Sequence, residues 1–183
     1  MNDGGFDIWR ELELIGARNP EADAMQEAIF LAIGKITAYW SAIYLGLDTL
    51  VSVIAVCLDG PALDELPRSL RQKTRFLRTA FNTVRLLQPF AAEGKAVLAR
   101  INTLKQKRHR VAHGMVLQTA FDHPGYRLMY PELHGRKCLI KQQPIAKSEL
   151  DRAASASERL TRDVMALSAR IVALALQQGT QDQ

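Results

Sequence analysis

The stretch Leu104–Gly114, with the sequence LKQKRHRVAHG, lies near the middle of a 183-residue chain and separates helical from strand-like patterning. It holds four basic residues and two of the four histidines of the chain. Cations in a last helical turn complement the partial negative charge of the free carbonyls, so the plainest interpretation is a basic helix end. Gly114 follows at the position where a left-handed helix cap is expected.

The apolar face of this predicted helix is interrupted by an arginine. Residues on that face recur at spacings of four, three, four and three, which is the period of one buried helical stripe. They are Val97, Ile101, Leu104, Arg108 and Val111. An arginine on a packed face needs a partner or a function, because burying an unpaired charge is costly. An interface cleft that receives an anion would supply both.

Bulk composition favours a single cytosolic domain, residues 1–183, with a polyanionic partner. Apolar residues make up 48% of the chain, which is enough to build a core. The net charge of +5 and the isoelectric point of about 9.4 make a polyanion a plausible partner, although many basic proteins bind no nucleic acid. Cys57 and Cys138 are far apart and form no metal-binding pattern, so both are expected to be reduced thiols.

The N-terminus predicts no signal peptide, and the most apolar run favours a core helix, with a membrane helix as the less favoured alternative. Met1–Gly5 lacks a basic segment followed by an apolar core. The run Ala42–Leu58 is slightly short for a span and carries Asp48 near its middle, which indicates a buried core helix. The expected location is therefore the cytoplasm.

A long N-terminal helix is the clearest secondary-structure signal. Asn19 can cap it, Pro20 suits its first position, and no further proline occurs before its predicted end at Leu58. Beyond Tyr39 it is apolar nearly all round, which is typical of a central helix or of one shared between subunits. Residues 1–18 have rough helical spacing and are predicted to be an N-terminal extension.

Three further helices and a β-like insert complete the predicted fold. The second and third helices are expected at Leu66–Leu87 and Ala91–Ala112. Residues 115–145 alternate short β-like runs with turn residues, which predicts a hairpin or meander packed on the helices. Ser148 is expected to cap the last helix, and residues 179–183 to fray. The predicted fold class is therefore mainly all-α, an up-and-down bundle with a long first helix and a small β insert before the last.

The second predicted helix and its flanks carry many cations. They are Arg68, Arg71, Lys73, Arg75, Arg78 and Arg85. A solvated face is the favoured interpretation. The alternative is that they attract a phosphate backbone without sequence specificity.

The segment Arg108–His113, with the sequence RHRVAH, resembles the R-x(4–6)-H motif of the HEPN superfamily, the higher-eukaryote and prokaryote nucleotide-binding helical domains. The ending Val-Ala-His-Gly is similar to the form seen in many bacterial members. The order of elements fits as well, with a long first helix bearing Trp40, two further helices, the motif at the end of the third, and a terminal helix after a variable insert. The resemblance covers residues 20–177 as architecture and about seven residues as motif.

The resemblance implies a homodimer in which two motifs face each other across a cleft. Many members are metal-independent endoribonucleases of the toxin or phage-defence kind. Carried over, His113 is the acid/base residue, Arg108 holds the scissile phosphate, and His109 takes the polar position after the arginine in an open role. RNA and an antitoxin or other regulatory protein are the expected partners, and no cofactor or metal is expected. The flanking cations expected to contact nucleic acid are Lys105, Lys107 and Arg110.

This chemistry requires a proton carrier and an anion clamp. Cleavage by the 2′-hydroxyl needs one proton taken from that oxygen and one given to the leaving 5′-oxygen, and an imidazole can do either. A guanidinium presents a fork of donors to the crowded phosphorane. On an ideal helix Arg108 and His113 lie about 140° apart, so a two-fold interface or unwinding at Gly114 is needed to bring them together.

Other interpretations stay open at this point. The chain can instead be a non-catalytic helical dimer that binds nucleotide, RNA or a protein, with His113 as a capping or interface residue. The spacing of His109 and His113 also suits zinc on a helix, but no glutamate lies between them and no third ligand is evident. His123 and His134 occur in turn-like contexts and are expected at the surface, whereas Trp40 is expected in the core.

Overall fold

Four α-helices and one three-stranded sheet form the described part of the chain, which in this computed structural model comprises residues 20–63, 65–119, 125–134 and 137–179. In chain order the elements are α1 (Pro20–Cys57), α2 (Leu70–Thr83), a 3₁₀ helix (Arg85–Phe90), α3 (Ala91–His113), β1 (Met115–Thr119), β2 (Gly125–His134), β3 (Lys137–Ile145) and α4 (Lys147–Gly179). The prediction of a mainly helical fold with a small β insert before the last helix is confirmed. The predicted extension 1–18 and the tail beyond residue 179 lie outside the described residues.

The described residues group into two compact units. The helical unit contains Lys35–Arg108 and α4 from Ala153 onward, and the sheet unit contains α1 up to Gly34 together with His109–Arg152. Helices α1, α3 and α4 therefore each contribute residues to both units. In α3 the boundary falls between Arg108 and His109, inside the predicted motif.

Helix α1 supplies much of the core of the helical unit. It begins at Pro20 as predicted and ends at Cys57, one residue before the predicted end. Beyond its end, Asp59 adopts a left-handed backbone (φ 48°) and the Gly60 N–H donates to the Ile54 carbonyl at 3.0 Å. The inward side chains of α1 are almost completely buried, namely Trp40, Ile43, Leu47, Leu50 and Ile54. The predicted core position of Trp40 is confirmed.

The same helix has the length and composition of a membrane span. The 35 residues Asp23–Cys57 include an 18-residue window with a mean hydropathy of 1.7, of which 39% is buried within the protein. A core helix of a soluble protein and a signal sequence both meet this criterion, so it is weak evidence for a membrane. Ile43 and Leu47 are completely buried within the protein, whereas Leu45 and Val56 of the same helix are 62% and 78% exposed.

Helix α3 runs antiparallel to α4 in the helical unit. Glu93 pairs with Arg170 of α4, and Arg100, about two turns later on α3, pairs with Asp163. The partners therefore follow one another in opposite directions along the two helices. These four side chains are about half exposed, so the two ion pairs fix the register of the helices more than they add stability.

Gly94 allows the start of α3 to pack against the end of α2. A Cβ added at Gly94 would lie 2.4 Å from two atoms of the Phe81 ring, and this ring is fully buried. We expect Gly94→Ala to lower the free energy of unfolding by about 1–3 kcal/mol, because a buried ring has little space to move. Urea denaturation followed by circular dichroism measures the effect.

Gly34→Ala is the matched control for this substitution. No atom lies within 4 Å of a Cβ added at Gly34, which is also inside a helix. Alanine at this position should raise the free energy of unfolding by about 0.5–1 kcal/mol through helix propensity alone. If both substitutions changed stability in the same direction, the steric explanation for Gly94 would be wrong.

Helix α2 begins later than the sequence pattern predicts. It starts at Leu70 rather than at Leu66 because Ser69 and Gln72 form a capping box. The Gln72 N–H donates to the Ser69 hydroxyl oxygen at 3.2 Å, and the Ser69 N–H donates to Gln72 Oε1 at 2.9 Å.

The predicted cap of α4 is wrong. The helix starts at Lys147, so Ser148 lies inside it. The Glu149 N–H donates to the Ala146 carbonyl at 2.9 Å, which starts the helical hydrogen bonding before Ser148. In the first turns, Lys147 forms an ion pair with Asp151 at 2.6 Å.

The β insert is an antiparallel meander in the order β1-β2-β3, one of the two predicted forms. Strand β1 pairs only with the first half of β2, up to Met115 opposite Met129, whereas β3 pairs along almost all of β2. Pro131 lies in the half of β2 that β1 does not reach, and Pro144 lies on the edge strand β3. Proline is tolerated where a strand has one open side, so both strands extend past their prolines and are longer than predicted.

Candidate functional site

Arg108 is partly buried in the helical unit, on the face of α3 that also buries Val97 and Ile101. Its guanidinium carbon lies 5.7 Å from the centroid of the Tyr44 ring of α1, within cation–π range. Its Nε atom is buried and has no hydrogen-bond partner among the described residues. The prediction that Arg108 interrupts a buried stripe is confirmed, and its neighbour is an aromatic ring.

A second cation lies over the same ring. Lys73 of α2 is only 6% exposed, and its Nζ atom lies 5.3 Å from the Tyr44 centroid and 2.5 Å from Oδ1 of Asp48. Asp48, which lies near the middle of the most apolar run of the sequence, therefore pairs with a buried lysine. Tyr44 was not noted, and Lys73 was noted only as one of several cations. Lys73 lies three residues before the buried Phe76, a spacing that places it on the packed face of α2.

Asp48 neutralises a charge that is otherwise buried. We expect Asp48→Asn to lower the free energy of unfolding by about 1–3 kcal/mol, because it leaves the ammonium of Lys73 without an ionic partner. The effect stays below that of a fully buried pair, since the Asp48 side chain is 51% exposed. Thermal and urea denaturation measure it.

Glu158→Gln provides a matched control for Asp48→Asn. Glu158 pairs with Arg162 at 3.9 Å on one exposed helical face, with side chains 47% and 70% exposed. Loss of such a pair should change stability by less than about 0.5 kcal/mol. A similar effect of the two substitutions would show that the burial of Lys73 carries no energetic consequence.

The two histidines of the motif lie on the exposed last turn of α3, in the sheet unit. Their rings face each other, with centroids 4.7 Å apart and planes tilted by 57°. His109 and His113 are both exposed, and neither has an ion pair or hydrogen bond to another described residue. Both imidazoles are therefore accessible to a ligand from solvent.

Arg110 contacts the sheet. Its guanidinium carbon lies 5.2 Å from the centroid of the Tyr130 ring, and its Nη1 atom is 3.5 Å from Oε1 of Gln143. The Tyr130 hydroxyl donates to the same oxygen at 3.3 Å. Arg110 thus packs the end of α3 on β2 and β3 while staying partly exposed.

Gly114 is required for a close contact and not for the expected left-handed cap. Its φ lies outside the left-handed region. A Cβ at this position would lie 2.5 Å from the Arg110 carbonyl oxygen and 2.7 Å from Cδ1 of Leu128, which is buried. Only glycine lets the chain turn from α3 into β1 against these atoms.

The remaining two predicted contact residues differ in their surroundings. Lys107 is exposed, with no ion pair to another described residue. Lys105 donates a hydrogen bond from Nζ to Oδ1 of Asn102 at 2.8 Å and lines a cavity between α3 and α2. Of the predicted site residues, Lys105, Lys107 and Arg108 belong to the helical unit, and His109, Arg110 and His113 belong to the sheet unit.

Within the described ranges, no group of three or more His, Cys, Asp or Glu side chains is placed to hold a metal ion. Cys57 and Cys138 are exposed free thiols. No protein family, curated protein or solved structure matches this chain. The likeness to the HEPN superfamily therefore rests on the motif and on the order of the helices.

Proposed function

We propose that this protein is a metal-independent endoribonuclease in which His113 and Arg108 act on the RNA phosphodiester. The observation that carries the proposal is the environment of Arg108. This residue is partly buried beside Tyr44, and no described residue accepts a hydrogen bond from its Nε–H group. A buried donor without an acceptor is costly, and a shift of the partly exposed guanidinium toward a bound anion removes the cost. The same helix, α3, ends at His113, and the imidazole of this residue is exposed.

Each residue has a defined role in this proposal. The guanidinium of Arg108 stabilises the charge that develops on the non-bridging phosphate oxygens. The imidazole of His113 takes the proton from the 2′-hydroxyl or gives one to the leaving 5′-oxygen. The products are a 2′,3′-cyclic phosphate and a free 5′-hydroxyl, and the reaction needs no metal.

The proposed active form is a homodimer in the cytoplasm. His113 follows Arg108 by five positions, which places the two side chains about 140° apart around the helix axis. The α3 helix of a single subunit therefore does not direct both side chains at one phosphate. Two copies related by a two-fold axis can supply an arginine and a histidine to the same scissile bond. A ribonuclease of this kind, acting as a toxin or in phage defence, needs an antitoxin or other regulatory protein to hold it inactive.

The test is cleavage of a mixed-sequence RNA by the purified protein in EDTA, with light scattering to determine the number of subunits. We expect a dimer that produces 2′,3′-cyclic phosphate ends, identified by mass spectrometry of the fragments. Cleavage that needs a divalent metal, or that leaves 3′-hydroxyl ends, would refute the proposed mechanism.

One observation favours a second candidate function. The stacking of Arg108 on Tyr44 is also what a purely structural arginine would show. In that case the protein is a non-catalytic helical dimer that binds nucleotide, RNA or a protein partner. A dimer that binds RNA without cleaving any of a broad set of substrates would support this second function over the first.

A further inference from the structure

The helical unit contains a cavity of about 400 Å³ whose charged lining is entirely basic. Its walls are formed by α2 and α3, and they carry the residues Leu70, Arg71, Thr74, Arg75, Arg78, Asn102 and Lys105. We propose that this basic cavity is a phosphate-binding cleft that holds the backbone of the RNA. The inference rests on the proposed function and adds a binding surface that the motif itself does not include.

The cations of the cavity are not used by the fold. Arg71, Arg75 and Arg78 are exposed and form no ion pair with any described carboxylate. This distinguishes them from other cations of the same segment, since Lys73 is buried against Asp48 and Arg68 pairs with Glu65 at 3.4 Å. Cations that stabilise neither the core nor a helix contact are available for a ligand.

Their arrangement is unfavourable without an anion. Arg71 and Arg75 are four residues apart on α2, and Arg75 and Arg78 are three apart, spacings at which like charges repel. Lys105 of α3 faces the same cavity, and its hydrogen bond to Asn102 restrains the ammonium group. A polyanion relieves the repulsion among all four side chains.

A second cavity of the helical unit has a more balanced charge pattern. A larger space of about 650 Å³ between α3 and α4 is also lined by arginines, but there Arg100 pairs with Asp163, which lines the same space. Arg162 of that space pairs with Glu158 at 3.9 Å. Two of its three arginines therefore have a carboxylate partner and Arg159 has none among the described residues, whereas all three arginines of the basic cavity lack one.

The length of the basic row favours a strand over a single phosphate. Arg71 and Arg78 are seven residues apart on α2, which corresponds to about 10 Å along the helix axis. One phosphate cannot contact the whole row, whereas consecutive phosphates of a strand can. On α3, Lys105 lies one turn before Arg108, so a strand in the cleft passes close to the proposed phosphate clamp.

The experiment measures RNA binding separately from cleavage. A fluorescein-labelled 20-nucleotide RNA is titrated by anisotropy in EDTA with the full-length His113→Ala protein, which keeps the RNA intact. The same protein carrying Arg71→Gln, Arg75→Gln and Arg78→Gln should bind about 10- to 100-fold more weakly. The slope of log K against log salt concentration should fall by about 2, because each phosphate that the protein no longer neutralises lowers it by about 0.7.

The control removes the same net charge from elsewhere. Lys35→Gln, Arg85→Gln and Lys95→Gln replace three exposed cations that do not line the basic cavity, and they should weaken binding less than threefold. Circular dichroism verifies that both triple variants fold. If the cavity triple variant does not fold, Arg78→Gln alone should still bind about threefold more weakly than Arg85→Gln alone.

Several outcomes would overturn the inference. Equal losses of affinity in the two triple variants would mean that only bulk charge attracts RNA. Displacement of the RNA by ATP at equal phosphate concentration, abolished in the cavity variant, would identify a nucleotide site and not an RNA cleft. A different outcome separates the two proposals: a wild-type protein that binds RNA through the cavity without cleaving it supports the cleft and favours the non-catalytic dimer over the ribonuclease.

Discussion

His113→Ala abolishes RNA cleavage in the proposed mechanism, with a loss of kcat/KM of about 10²–10⁴-fold, the usual contribution of a general acid or base. The folded state should be unaffected, because the imidazole is exposed and has no hydrogen-bond or ion-pair partner among the described residues. Cleavage is measured in EDTA by gel electrophoresis of end-labelled RNA, and folding by thermal denaturation. Loss of activity with an unchanged Tm is the expected result.

His134→Ala is a suitable control for this prediction, since it removes a histidine of β2 that lies outside the motif. It should retain cleavage within about twofold. Retained activity in His113→Ala would refute the assignment, because it would indicate either another proton carrier or a contaminating nuclease. Equal loss in both variants would indicate a general effect on the fold and would also refute it.

The helices of this protein are predictable because their signals are local. The Asn19-Pro20 pair predicts the start of α1 to the residue, and apolar periodicity carries the prediction almost to its end at Cys57. The start of α2 is predicted less well, because Leu66 and Pro67 also have the pattern of a helix start and precede the capping box at Ser69 by only two residues. The strand lengths in the insert are underestimated because proline usually ends a paired strand. Pro131 is accommodated within β2 because β1 does not extend beside it, and the sequence does not reveal this.

The surroundings of Arg108 are predictable only in part. Its place in an apolar stripe follows from spacing along a single helix. Its neighbour Tyr44 on α1 lies 64 positions earlier in the sequence, and the pair formed by Lys73 and Asp48 joins α2 to that same helix. Such contacts are tertiary, so periodicity identifies the face that is buried without identifying what it is buried against.

The roles of the arginines on and beside α2 are also not predictable from the sequence alone. Composition alone favours a solvated face for six cations, and that interpretation suits Arg85, which is exposed and unpaired in the described part of the chain. The structure separates the other five into Lys73, which is buried beside Asp48, Arg68, which pairs with Glu65, and three arginines that line one cavity. The functional distinction therefore depends on the position of α3 beside α2.

Arg108→Ala should lower kcat by about 10²–10³-fold, the loss that follows removal of one donor to the developing phosphorane charge. Arg108→Lys should lose at least about tenfold, because an ammonium keeps the charge but lacks the planar fork of donors. Single-turnover cleavage of labelled RNA in EDTA measures both effects. Activity of Arg108→Lys equal to that of the wild type would exclude a role for the fork.

Arg108→Ala should have little effect on stability, for a reason that separates a catalytic arginine from a structural one. Alanine removes the cation–π contact with Tyr44, worth about 0.5–2 kcal/mol. It also removes the buried Nε donor, whose lack of an acceptor costs about 1–3 kcal/mol. These contributions have opposite signs, so the free energy of unfolding measured in urea should fall by no more than about 1 kcal/mol.

Tyr44→Leu tests whether Arg108 acts through its charge or through its packing. This substitution removes the ring beneath the guanidinium and leaves the arginine in place. If Arg108 contacts the phosphate, the loss of kcat in Tyr44→Leu should be at least about tenfold smaller than in Arg108→Ala, because the donor fork is retained. Equal losses in the two variants, accompanied by equal destabilisation, would show that Arg108 only holds α3 against α1 and would favour the non-catalytic dimer.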